Sequence, residues 1–268
     1  GSRTLQQAPC FSAVCPAAVA IYRRRTTVCD GNHMRSSQIE CADGLHITVF
    51  ERDGGEGAAC GYATRLWDCS VGLARWMLES LLESPERPLR GRRVLELGAG
   101  TALCSLAIVA AEPDADVTAT DVDPAAMPLI AAAGKAASQG RRSSSPRAAL
   151  LDICASAADA PLPACDLLLA CDACYTPQLA AALARRCAEA LRASPSARVV
   201  IADPGRPGQP ALVEALAEAG FAASFERLDA TPLPFAEWLV RSEGGRVRLL
   251  HIDDDARLWG VSTVPAMF

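Results

Sequence analysis

Aromatic residues are scarce: Phe, Trp and Tyr make up 5% of the 268 residues, although half of the chain is hydrophobic. The apolar content is therefore mostly Ala, Leu and Val, the composition of small helices packed on a buried parallel sheet. No stretch approaches the roughly 20 unbroken apolar residues of a membrane helix. The longest apolar segments are interrupted by Asp, Glu or Arg and read as core. A strong charge of one sign is also missing. The formal net charge of −5 gives no general reason to expect a polyanionic partner, so neither nucleic acid nor a membrane is expected.

Acidic residues are absent from the first 29 positions, which carry Arg3, Arg23, Arg24 and Arg25 among Ser, Ala and Cys. An acid-poor, Arg-bearing leader reads either as an organellar transit peptide, for mitochondrion or plastid, or as a disordered extension of a cytoplasmic protein. Zinc-ribbon spacing is absent as well. Cys171 and Cys174 form a CxxC without a second one, and His33 near Cys29 and Cys41 lacks a ligand spacing. The twelve cysteines are spread over a mid-sized chain and read as reduced thiols filling core space. No metal is expected, and a monomer is the expected state.

What is present is a regular alternation. Residues 45–51, LHITVFE, alternate as a strand does, and Asp53-Gly54-Gly55 ends it. Residues 66–82 place Leu66, Val71, Leu73, Ala74, Met77, Leu78 and Leu81 at helical spacing. From Val94 onward, strands at 93–97, 116–120, 147–152, 166–170 and 197–202 alternate with Ala-rich helices at 104–111, 125–139, 177–191 and 210–218. Residues 222–228 and either 247–252 or 259–264 read as a closing antiparallel pair. This predicts an α/β fold, a seven-stranded Rossmann-like sheet with helices on both faces and that antiparallel pair at its end. Ordered structure is expected from Gln38, giving a 1–37 extension, a 38–92 strand and helix cap, and a 93–268 core.

The first strand of the core runs into Glu96-Leu97-Gly98-Ala99-Gly100-Thr101-Ala102. Glycines at a strand's carboxyl end let the backbone turn sharply and let a ligand approach. Asp121 closes the second strand, 23 residues after Gly98, where a carboxylate can accept from both ribose hydroxyls. A dinucleotide fits poorly. Leu103 stands where helix–strand packing wants a small residue, and Glu96 would repel a pyrophosphate. Glu96 suits a cationic ligand, and S-adenosylmethionine carries both a sulfonium and an ammonium. Asp152 could accept from the adenine amino group or cap the next segment. Asp172 follows the fourth strand with Tyr175 three residues on. The pair could hold an acceptor amine, or Asp172 could cap the helix that starts near Pro177 and Tyr175 could be core edge.

Three blocks resemble the seven-strand protein-lysine methyltransferase group, methyltransferase family sixteen, over residues 45–264. They are Gly61-Tyr62-Ala63-Thr64-Arg65-Leu66-Trp67-Asp68 before a helix, VLELGAGTALCSLA with TATDVDP, and Asp172-Ala173-Cys174-Tyr175. The resemblance implies methyl transfer from S-adenosylmethionine to a lysine of a protein substrate. It implies a cofactor site at Trp67, Glu96, Gly98, Ala99, Gly100, Asp121, Asp152 and Cys171, with Asp172 and Tyr175 at the target lysine. Ala102 stands where many members have a third glycine, and the family's tryptophan after the third strand is not evident near Asp152. Residues 202–207, ADPGRP, resemble the mitochondrial subgroup acting on electron-transfer flavoprotein, whereas Leu66-Trp67-Asp68 looks more like cytosolic members. Arg206 in that turn could contact an acidic substrate patch. The alternatives are a small-molecule N-methyltransferase on the same fold or a non-catalytic binding protein.

Overall fold

The computed structural model describes residues 25–29 (backbone), 34–42, 44–52, 61–138, 144–230, 233–241 and 245–252. Seven strands form one sheet: β4 (Arg93–Leu97), β5 (Asp116–Asp121), β6 (Arg147–Leu150), β7 (Leu167–Cys171), β8 (Arg198–Asp203), β9 (Phe225–Arg227) and β10 (Val247–His251). Their order across the sheet is β6-β5-β4-β7-β8-β10-β9. The α/β class and the seven strands agree with the sequence reading.

The closing pair does not. β10 runs parallel to both β8 and β9, so every neighbouring pair among the described strands of this sheet is parallel. The reason lies between β9 and β10, where helix α6 (Phe235–Val240) lies on the connection. A crossover returns the chain to the edge it left, and a parallel partner requires that return. The alternative closing strand at 259–264 lies outside the described residues.

Strand alternation divides the core cleanly. Leu95, Leu97, Leu168, Ala170, Val199 and Ile201 pack under α4 (Pro177–Ala193) and α5 (Gln209–Glu218). On the opposite face, Val94, Leu167, Leu169, Val200 and Ala202 meet α1 (Asp68–Glu83), α2 (Leu103–Ala111) and α6. Helix α3 (Ala126–Ser138) packs Ala126 and Ile130 against Ala99, Ala102 and Ala119. The small side chains expected from the composition let these helices lie close to the sheet.

A second, antiparallel sheet precedes the large one: β1 (Arg25–Cys29), β2 (Met34–Ala42) and β3 (Leu45–Arg52). Pairing therefore begins before Gln38, and the expected division at 37/38 falls inside β2. Only one face of β2 is buried, and it consists of Ser37, Ile39 and Cys41. That short mixed face carries no strong strand signal. Ile39, Ile47 and Val49 seat this sheet on Val71, Leu78 and Leu106 of α1 and α2. The Glu51 carboxylate is buried and accepts from Ser37 Oγ (3.0 Å) and from the Leu66 amide (2.9 Å). It fastens the lead-in to α1 onto the small sheet.

Helix α6 is six residues long, too short for a periodicity signal. It is held by Phe235 and Trp238, both fully buried. The Arg248 guanidinium lies 5.4 Å from the Trp238 ring centre and 5.7 Å from that of Trp76. Replacing Trp238 with Ala should lower unfolding free energy by about 3–5 kcal/mol, as for other large-to-small core changes. Chemical denaturation checks this, and a loss below about 1 kcal/mol would mean that α6 does not clamp the closing strands.

Candidate active site

The carboxyl ends of β4 to β8 lie in register. Leu97 pairs with Thr120 and Ala170, Asp121 with Leu150, and Cys171 with Ala202. Residues that leave these ends emerge along one edge, where ligands of open α/β sheets bind. A cavity of about 370 Å³ opens there, within the range of small-molecule sites. It is lined by all ten residues singled out in the sequence: Trp67, Glu96, Gly98, Ala99, Gly100, Asp121, Asp152, Cys171, Asp172 and Tyr175.

The loop after β4 has the backbone expected of its glycines. Gly98 (φ +66) and Gly100 (φ +53) are left-handed, and a β-carbon on Gly100 would come 3.4 Å from the Ala63 carbonyl oxygen. Ala102 is left-handed too (φ +58). It occupies a glycine-like conformation with a methyl group, at a cost of roughly 1–2 kcal/mol. Ala99 donates its amide to the Thr120 carbonyl (2.8 Å), which ties the loop to β5.

Each acid of this edge is held differently. Glu96 is buried and accepts from the amide (3.0 Å) and hydroxyl of Ser105 in α2. Burial pushes its carboxyl up to about 7, against the hydrogen bonds from Ser105 that favour the charged form. Asp121 accepts from the Gly100 amide with one oxygen (2.9 Å) and from the Asp123 amide with the other (2.9 Å). That leaves further lone pairs on a carboxylate facing the cavity. Asp152 accepts from the Cys154 amide (2.8 Å), so it closes a turn while also lining the cavity. Leu151 and Ile153 line the cavity beside it as an apolar wall. Arg186, itself buried, donates to the carbonyls of Ile153 (3.3 Å) and Asp152 (3.2 Å) and fixes that wall.

The other end of the cavity is aromatic. Trp67 sits at the head of α1 and donates its indole N–H to the Tyr62 carbonyl (3.0 Å). Its ring stacks on Tyr62 at 6.1 Å between centres, and Tyr62 lies 6.2 Å from Tyr175. Tyr62 is 74% exposed and Tyr175 39%, so this corner opens to solvent. Asp172, by contrast, is 2% exposed and left-handed (φ +51). It does not cap α4: Thr176 does, accepting from the Leu179 amide (3.2 Å). Arg206 does not point outward to a substrate patch, because its guanidinium forms a two-point ion pair with Asp172 (2.6 and 2.8 Å).

Cys171 reaches the cavity but offers no nucleophile. Its sulfur is 3.4 Å from that of Cys69. Hydrogen bonding with Cys104 and Cys69, together with burial, holds the thiol well above its ordinary value. Cys174 packs in the α4 core instead, so the CxxC does not converge. Among the described residues, no group of three or more His, Cys, Asp or Glu could hold a metal ion.

Sequence reasoning missed Tyr62, Arg65, Val122 and Ile153 of the lining, and Ser105 behind Glu96. Val122 was discoverable as the residue just past a strand-terminal Asp. Tyr62 lies in the block before α1 and Ser105 nine residues past Glu96 in the glycine block, but neither run says which of its side chains turns toward the site.

Glu96 predicts a pH dependence of the protein without ligand. Its folded value near 7 lies above its ordinary 4.5, so the native chain holds this proton more tightly than the unfolded chain. The stability it contributes is present below about pH 4.5 and is lost as the pH rises to 7. The loss should be on the order of 3 kcal/mol, and Glu96→Gln should remove that part of the slope. Urea melts of both proteins from pH 4.5 to 8 test this, and parallel curves would refute it.

Three comparisons bear on this arrangement. Residues 45–209 match the family model described as lysine methyltransferase. Protein N-lysine methyltransferase METTL21A of Danio rerio is 43% identical over 82 residues, covering 31% of this chain and 34% of that protein. EEF1A lysine methyltransferase 3 of Mus musculus is 31% identical over 103 residues, covering 38% of this chain and 40% of that protein. The matched regions thus span well under half the length of these relatives. A solved structure, the N,N-8-amino-8-demethyl-D-riboflavin dimethyltransferase of Streptomyces davawensis, has 22% identity and a TM-score of 0.34. It covers 48% of this chain and 36% of its own. With the family model covering more than half of its length, and with the loop after β4, Asp121 and the Asp172–Tyr175 corner on one cavity, the chain belongs to the lysine methyltransferase family.

Proposed function

We propose that this protein transfers a methyl group from S-adenosylmethionine to a lysine side chain of a protein substrate. The observation that carries the reading is the single cavity that joins buried Glu96 and Asp121 at one end to Asp172 and the Trp67–Tyr175 walls at the other.

The residues present fit the cofactor. Glu96 is a buried acid held by the neutral amide and hydroxyl of Ser105, and an ammonium group would give its charged form a cationic partner. Asp121 has acceptor capacity for ribose hydroxyls, Gly98 and Gly100 leave room for close backbone approach, and Leu151 and Ile153 offer an apolar face for adenine. When bound, S-adenosylmethionine supplies an electrophilic sulfonium methyl group.

The chain's own contribution is to hold the acceptor. A lysine amine ordinarily titrates near 10.4 and reacts only when neutral. With S-adenosylmethionine held by Glu96, Asp121 and the glycine loop, its methyl group would pass to the lone pair of that amine, the electron pair of the broken C–S bond leaving on sulfur. The Trp67, Tyr62 and Tyr175 rings can sheathe the four-carbon stem of lysine and keep water away from the amine. The Tyr175 phenol stays protonated, because burial and the neighbouring Asp172 raise it, so it can donate or accept one hydrogen bond but does not act as a base. Positioning of this kind accounts for most of what a protein can add to an in-line displacement. The exposure of Tyr62 and Tyr175 favours a lysine presented on a protein surface over an enclosed small molecule.

Incubation with tritiated S-adenosylmethionine and a proteome extract tests the reading. Wild type should label one or a few proteins on lysine, and Asp172→Ala should label them at least about 100-fold more slowly. Equal labelling by the two would sink the assignment of Asp172, and binding without any transfer would favour a binding protein.

A further inference from the structure

The Asp172 carboxylate, the group nearest to hand for an acceptor amine, is already in an ion pair. Arg206 Nε donates to one oxygen at 2.6 Å and Nη2 to the other at 2.8 Å. The flat guanidinium also lies 5.9 Å from the Trp67 ring centre and 5.8 Å from that of Tyr175. It is therefore set into the same corner as the two walls.

The pair is built into the fold. Asp203, at the end of β8, is fully buried. Its Oδ1 accepts from the amides of Gly205 (3.0 Å) and Arg206 (2.7 Å) and from Gln209 Nε2 (2.8 Å). Its Oδ2 accepts from the Cys174 amide at 3.2 Å. One carboxylate thus fixes the backbone of Arg206 and the segment just after Asp172, so the two side chains meet without further adjustment. The left-handed backbone of Asp172, costly for a residue with a β-carbon, is kept by the same arrangement.

A bare carboxylate would bind an ammonium and stabilise its charge, which opposes methyl transfer. A carboxylate matched by a guanidinium carries no net charge toward the amine and places a cation beside it. We propose that Arg206 is a positioning residue that cancels the charge of Asp172, so that the acceptor corner takes the neutral amine in preference to the ammonium. This rests on the lysine reading above and assigns Arg206 a part in it, acting through Asp172.

The other titratable groups that face the pair are common to all the variants compared, so they do not account for a difference between the variants. Tyr175, Cys171 and Cys174 are neutral, all raised, with burial common to the three. Asp121 faces it from β5, with both oxygens bonded to backbone amides. Asp203 is bonded to four donors, and His251 stands across Gly205.

The test follows the rate of labelling of one acceptor protein from the extract between pH 6 and 10. Saturating tritiated S-adenosylmethionine keeps the titration of Glu96 out of the profile. Wild type, Arg206→Lys and Arg206→Gln are compared. The rising limb should move up by about one pH unit in Arg206→Gln, a roughly tenfold slower rate at neutral pH that closes as the medium becomes alkaline. Arg206→Lys, which keeps the charge but loses the fork, should lie between. Arg206→Gln slowed by one factor at every pH would mean a packing role and overturn the inference, as would a faster variant, which would mark Arg206 as a competitor for Asp172. A wild type that labels nothing at any pH overturns the lysine reading and this inference together, whereas the other two outcomes overturn this inference alone.

Discussion

Carboxylates collected at the carboxyl edge of a parallel sheet, away from water, must each find a donor. This constraint shapes the site more than any single contact. Glu96 takes its donors from the helix that follows it, Asp121 from the glycine loop and its own turn, Asp203 from four groups around it, and Asp172 from Arg206. The solutions differ in what they leave over. Asp203 is saturated and acts as a joint. Asp121 keeps acceptor capacity toward the cavity. Burial pushes the Glu96 carboxyl up to about 7 despite the donors from Ser105. A gradient from structural to ligand-seeking acids follows from strand geometry and local chain direction, with no other fold-level device required.

Much of this was legible in the sequence, and the reason is locality. The glycine loop, the strand-terminal acids and the run to Tyr175 each lie within a few residues of a strand end. A strand end in a parallel sheet has one possible side for its ligand, so the sequence alone places Glu96, Asp121, Asp152 and Asp172 on one edge. The boundaries of β4, α2 and α4 fell within two residues because glycine or proline punctuates each: Gly98 follows β4, Pro113 lies just past α2 and Pro177 opens α4.

The failures are the non-local features. Nothing within residues 225–251 says whether two short strands pair parallel or antiparallel, since that depends on which edge α6 returns the chain to. The Ser37–Ile39–Cys41 face of β2 becomes a core face only because α1 and α2 lie beneath it. Arg206 shows the same limit at the site itself. Its turn was evident from Asp203-Pro204-Gly205, but the turn alone does not say which carboxylate the side chain meets. Read locally it faced a partner, whereas in the fold it faces inward to Asp172. Ring neighbours such as Tyr62 were lost for the same reason.

The Glu51 tie has a consequence for how such a protein can be altered. One wall of the cavity, from Tyr62 to Trp67, is tied at Leu66 to a carboxylate in a small sheet that shares no strand with the large one. The Glu96 and Asp121 end of the cavity is written into the large sheet, and this wall is tied to a small sheet that Arg75, donating to the Glu40 carbonyl, and the Ile39, Ile47 and Val49 side chains also fasten to α1 and α2. Reshaping the small sheet would therefore be felt along the Tyr62 to Trp67 wall and, through Ala63 against the turn at Gly100, in the glycine loop as well.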